Sequence, residues 1–219
     1  MLPFIAIPQI TSLIAAVTKV ATTIGPMLVK NASLLLEVAS KSLPQIVKTI
    51  ETVSAVANII SPNETAEELG AKAMKADKKP EDFDEINAYI DYLREEVKVG
   101  KDELSDDTVD VMARHAIGVS LMVKGVSEKL DAELTFPFLK TVSDLSLDAS
   151  VILEMIKAYS TKGLNMDDYG KYLGKTLSIE QLDEHSEVLV EVYQKANPTM
   201  TTEQVEDIVM GLELPKVNV

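Results

Sequence analysis

The sequence predicts an all-α fold, and three observations carry that expectation. Apolar residues recur at steps of three and four along most of the chain, and strand-like alternation of any length is absent. Aromatics are scarce, with four Phe, six Tyr and no Trp, so a core must be built from Leu, Ile, Val, Met and Ala. That composition suits helix-on-helix packing better than a β-sandwich. Capping residues, Pro and Gly stand where helices of ordinary length need their starts and stops.

In the first segment Ile10, Ile14, Val17, Ala21, Ile24 and Leu28 recur at alternating steps of four and three. Ala39, Leu43, Ile46, Ile50, Val53, Ala57 and Ile60 do the same. Such steps keep side chains on one face of a helix, and their sum is the coiled-coil period. Pro3 and Pro8 break the early apolar run, Gly25–Pro26 interrupts the first stretch and Leu43–Pro44 the second. Ser42 is placed to cap a helix with Pro44 in its first turn. The expected helices span 9 to 24, 27 to 41 and 44 to 60, forming a hairpin or a coiled-coil-like element. Gly25, Pro26 and Pro62 are its candidate hinges.

Beyond Ser61–Pro62–Asn63 a helix starts with Glu67 and Glu68 in its first turn, where the helix dipole favours acids. Lys78–Lys79–Pro80 ends it and opens a helix near 81 to 98, with Phe83, Ile86, Ile90 and Leu93 on one face. Ser105 is the expected cap of a long helix near 106 to 131. Its Gly118 and Gly125 stand seven residues apart and allow close approach of a neighbour. Phe136–Pro137–Phe138 reads as a corner. Asp148 opens a helix near 149 to 161, ended by Gly163. Further helices are expected near 167 to 173, 179 to 195 and 202 to 213, capped at Ser178 and at Thr201 or Thr202. Leu214–Pro215 ends the pattern.

Charge divides the chain. Residues 1 to 60 carry six charges, Lys19, Lys30, Glu37, Lys41, Lys48 and Glu51, for a net +2. The other 159 residues carry a net −16 of the chain's −14. The expected organisation is therefore an apolar helical segment, 1–60, and an acidic multi-helix domain, 61–219. Thr and Ser, rather than Glu and Lys, occupy the faces opposite the apolar stripes: Thr11, Ser12, Thr18, Thr22, Thr23, Ser33, Ser40, Thr49, Thr52 and Ser54. A hydroxyl can bond a carbonyl one turn back and so tolerates burial better than a charge. Three destinations for the apolar block stay open: a central hairpin in its own domain, contacts between copies or with partner subunits, and a membrane. A membrane span needs about 20 apolar residues in a row, and the uncharged runs 1 to 18 and 20 to 29 are punctuated by Pro and Gly.

No residue pattern names a reaction. With no Cys and two His seventy residues apart, thiolate chemistry is excluded and a histidine metal site disfavoured. The acidic clusters at 81 to 85 and 102 to 107 lack the order of a Ca²⁺ loop. No phosphate-cradling Gly loop occurs, and a net charge of −14 opposes nucleic-acid binding. Glu184 and His185 are the strongest catalytic candidates, but Ser186 beside them points about 100° away on a helix. His115 reads as a packed or surface residue, and Asn63-Glu-Thr65 as a chance match to a glycosylation acceptor. No basic n-region precedes the first apolar stretch, so no signal peptide is recognised. The expectation is a non-enzymatic assembly protein without cofactor or metal. It would oligomerise through Ile10, Ile14, Val17, Ala21, Ile24, Leu28, Leu43, Ile46, Ile50, Val53, Ala57 and Ile60. Its most concrete form is a component of a virus tail or a secretion apparatus. The alternative is a membrane-active protein that inserts its N-terminal helices.

Overall fold

A computed structural model describes residues 9–214. The expectations placed on Pro3, Pro8 and Pro215 lie outside those residues. Within them are eleven α-helices and no strand, so the fold is all-α. The helices are α1 (Ile10–Lys19), α2 (Ala21–Ala39), α3 (Leu43–Val56), α4 (Ala66–Lys75), α5 (Ile86–Glu95), α6 (Thr108–Lys129), α7 (Phe136–Asp144), α8 (Ala149–Lys162), α9 (Asp168–Leu173), α10 (Ile179–Ala196) and α11 (Thr202–Met210).

The centre of the fold is α6. Ala113, Ala116, Ile117, Val119, Leu121, Met122 and Val126 are buried on its several sides, as a helix surrounded by other helices requires. Helices α1 to α5 all pack against it. Helix α3 also reaches α7 and α8, while α8, α10 and α11 form a second layer. Buried side chains from residues 13 to 60 and from α4 to α11 form one hydrophobic cluster. That cluster runs across the 1–60 and 61–219 division read from charge.

Two glycines let α4 and α6 touch backbone to backbone. A Cβ on Gly118 would lie 1.8 Å from the Ala66 carbonyl oxygen, and one on Gly70 would lie 2.0 Å from the Arg114 oxygen. Gly125 faces a different neighbour, with the Ile90 side chain 2.8 Å from where its Cβ would be. Arg114 is buried beside this crossing. Its guanidinium donates to Glu67 Oε1 at 2.7 Å and to the Ser105 carbonyl at 2.8 Å.

Side-chain caps close five of the eleven helix starts, while Ser42 and Asp148 stand at the N-cap positions of α3 and α8 without a capping hydrogen bond. Thr65, Ser178 and Thr201 each close a reciprocal box with the residue three positions on. The cap of α6 is Asp107, whose carboxylate accepts from the Val109 N–H at 2.9 Å. Ser105 instead accepts from the Asp107 N–H. The expected corner at Phe136–Pro137–Phe138 is a helix, α7. Thr135 accepts from the Phe138 N–H, and Pro137 occupies the first turn, where it needs no donor. The expected helix 81 to 98 is shorter: a 3-10 turn at Pro80–Asp82, then α5 from Ile86.

Candidate functional site

The stripe expected to face copies or partners is distributed unevenly. Val17, Ile24, Leu28, Leu43, Ile46, Ile50, Val53, Ala57 and Ile60 are buried within the chain itself. Ile14 and Ala21 are half-buried, and Ile10 is exposed. The hydroxyl-rich faces point mostly to solvent: Thr11, Ser12, Thr18, Thr22 and Thr52 are exposed. Thr18 and Thr52 donate to the carbonyls of Ile14 and Lys48 at 2.8 and 2.9 Å. Ser54 is buried, and among the described residues its hydroxyl has no partner.

Both candidate hinges are held by charged side chains. Gly25 breaks α2 with φ 78°, ψ 159°, a conformation that favours glycine, and Pro26 restarts the helix. The Met27 N–H then donates to Glu81 Oε1 at 3.0 Å. At the second hinge, Ser61 N–H donates to Glu64 Oε2 at 2.6 Å. Arg94 reaches across from α5 to Glu64 at 2.9 Å and to the Ser61 hydroxyl at 3.0 Å. Burial alone would raise the Glu64 pKa. The Ser61 N–H and the Arg94 guanidinium outweigh it and hold the carboxyl below its usual range. Pro62 itself is exposed between these clamps.

Four large apolar side chains of the N-terminal helices stay in water: Ile10 at 40 %, Leu34 at 41 %, Val38 at 44 % and Val56 at 53 % exposure. Leu34 and Val38 belong to a face of α2 opposite the buried Ala32, Leu35, Leu36 and Ala39. With Met27 and Asn31 they recur at steps of four, three and four. The sequence reading missed this second stripe because the stronger stripe on α2 masks it. The signal was the unbroken Leu34–Leu35–Leu36, which must place an apolar side chain on both faces of a helix.

This second stripe is one wall of a groove of about 1010 Å³. Buried Val123 and Leu134 and half-buried Phe83, Ile86 and Phe136 supply more of its apolar lining. Among the described residues five carboxylates line it, Glu81 and Asp84 from the segment before α5 and Glu128, Asp131 and Glu133 from the end of α6 and beyond, with Lys124 as the one cation. Glu81 and Glu128 are engaged: Glu128 accepts from the Ile86 and Asn87 N–H groups at 2.8 and 2.9 Å. Among the described residues, Asp84, Asp131 and Glu133 form no ion pair. The amide nitrogen of Asn31, shielded from water, has no acceptor among the described residues.

His185 lies elsewhere, buried between α8, α9 and α10. Its ring stacks on Tyr172 at 5.7 Å and meets Tyr159 edge-on at 5.3 Å. Tyr159 Oη is 2.8 Å from His185 Nδ1. Burial lowers the His185 pKa against the opposing pull of Asp168 and Glu184, so the neutral ring is favoured. Burial also raises the Tyr159 phenol. Glu184 is exposed, and Ser186 pairs with Tyr172 Oη at 3.1 Å rather than with the imidazole. Neither His185 nor Glu184 lines the groove. His115 Nδ1 sits 2.9 Å from the Val111 carbonyl on its own helix.

Among the described residues, no group of three or more Asp, Glu or His is arranged to hold a metal ion. No helix among them is long and apolar enough to cross a membrane. No protein-family model matches the chain, and comparison with curated proteins and with solved structures finds no match.

Proposed function

We propose that this chain is a non-enzymatic assembly protein that associates, as a homo-oligomer or with partner subunits, through its N-terminal helices. The observation that carries the reading is the exposure of Ile10, Leu34, Val38 and Val56 on helices that otherwise hold the core. The contact surface is thus the outward apolar positions of α1 to α3. The stripe of Val17, Ile24, Leu28, Ile46, Ile50 and Val53 serves instead as internal scaffold. The packing of His185 against Tyr159 and Tyr172, away from the groove, supports the non-enzymatic part. A virus-tail or secretion-apparatus component remains the most concrete form of this proposal. Membrane insertion would have to pull sixteen buried apolar side chains of residues 13 to 60 out of the core, which makes it the weaker alternative.

Light scattering on a size-exclusion column tests the reading. The intact chain is expected to elute above its monomer mass, and the I10D/V56D variant at the monomer mass with unchanged helical circular dichroism. A chain that stays monomeric up to the highest soluble concentration defeats self-association. Truncation at Asn63 is no substitute, because it removes those sixteen core side chains.

A further inference from the structure

We propose that the groove walled by α2 receives an amphipathic helix with basic flanks, supplied by a different chain. The inference rests on the assembly reading and names the partner's chemistry. Two features fix that chemistry. The first is shape: Met27, Asn31, Leu34 and Val38 run along α2 over twelve residues, about 16 Å, which matches roughly three turns of an occupant helix. Helices laid in grooves are read through anchors at this same spacing. Val123, Leu134 and Phe136 offer apolar surface for the occupant's own stripe.

The second feature is charge. Asp84, Asp131 and Glu133 are exposed, line the groove, and carry no internal ion pair among the described residues. They come from two segments separated in sequence, so acid meets the groove from both. Complementary charge of this kind selects a basic partner and discourages an acidic one. A second copy of this chain, at −14 overall, is the less suitable occupant.

The test uses the full chain and a labelled helical peptide of about four turns made of Leu and Lys, with a Leu and Glu peptide as its mirror in charge. Fluorescence anisotropy is expected to show binding of the Lys peptide alone. The L34N/V38N variant should raise Kd about tenfold or more. D131N/E133Q should weaken binding and flatten its salt dependence. E206Q/D207N, which removes two exposed acids outside the groove, should leave Kd unchanged. Equal weakening by the groove and the α11 substitutions means diffuse charge attraction and overturns the proposal, as does equal binding of the Glu peptide. Binding that requires removal of residues 1–8 makes the chain's own N-terminus the occupant, and loss of binding on self-association makes it a second copy; either result overturns the proposal. The oligomeric mass is read separately: a monomer that binds the peptide removes self-association alone, and an oligomer that ignores it removes the groove proposal alone.

Discussion

Replacing Gly118 with Ala tests the central contact of the fold. The new methyl carbon would sit 1.8 Å from the Ala66 oxygen and 2.5 Å from its carbonyl carbon, where ordinary contact begins near 3.4 Å. The obstructing atoms are backbone, so no rotamer change relieves the overlap. Helices α4 and α6 must separate by about 1.6 Å. That separation loosens Ala66, Leu69 and Ala73, all of which are buried along α4. Overpacking of this kind costs about 1–3 kcal/mol, and a backbone obstacle belongs at the upper end. Ala improves helix propensity by about 1 kcal/mol, leaving a net loss near 2 kcal/mol. At about 2–4 °C per kcal/mol for a chain of this size, the midpoint should fall by about 4–8 °C. Gly70→Ala should cost a similar amount, because its methyl would lie 2.0 Å from the Arg114 oxygen of the same crossing. One separation relieves both clashes, so the double variant should cost less than the two singles added. Gly174→Ala is the internal control: its nearest neighbours lie 3.5 to 3.8 Å away and its φ is −80°. Thermal melts followed by circular dichroism decide. A Gly118→Ala chain that unfolds with the wild-type midpoint would show that α4 and α6 do not cross at this glycine.

Other perturbations probe separate parts of the structure. His185 is neutral in the fold because burial lowers its pKa below 6.5. The unfolded chain therefore binds more protons between the folded value and 6.5, and stability should fall as pH drops through that window; His185→Gln should flatten the slope in urea titrations. Arg94→Ala should cost about 1–2 kcal/mol by releasing Glu64 and Ser61, a figure held down by partial exposure of the pair. The same contacts keep the Glu64 carboxyl below its usual 4.5, so their stabilisation is present above that pH and lost as pH falls through the folded value; Glu64→Gln should remove this part of the acid sensitivity. On α2, Leu35→Ala should cost about 2–5 kcal/mol, and its exposed neighbour Leu34→Ala within about 0.5 kcal/mol. Equal losses at these two positions would contradict the orientation of the helix.

The fold class and most helix starts were legible because they depend on local chemistry. Thr65, Ser178 and Thr201 close their caps within three residues, a distance over which a sequence pattern and a structure are nearly the same statement. Helix α7 was legible in principle, through Thr135 before a first-turn proline, but the aromatic pair around Pro137 reads equally as a corner. The surface was harder to read. Periodicity finds the face a helix buries most strongly, and on α2 that stripe is Ile24, Leu28, Ala32, Leu35 and Ala39. It does not say what buries it. A partner chain, a bilayer and the chain's own α6 all reward the same spacing with the same loss of water contact. The low charge of residues 1 to 60 left the chain's own interior, other subunits and a membrane all open as the place of burial, and much of that burial is met by the central position of α2 and α3 beside α6. The candidate groove combines α2 with residues 80 to 86 and 120 to 137, a juxtaposition that no local spacing encodes. What the sequence does carry is the doubled pattern: with Leu34 beside Leu35, α2 has an apolar side chain on its outer face as well as on the face that packs into the core.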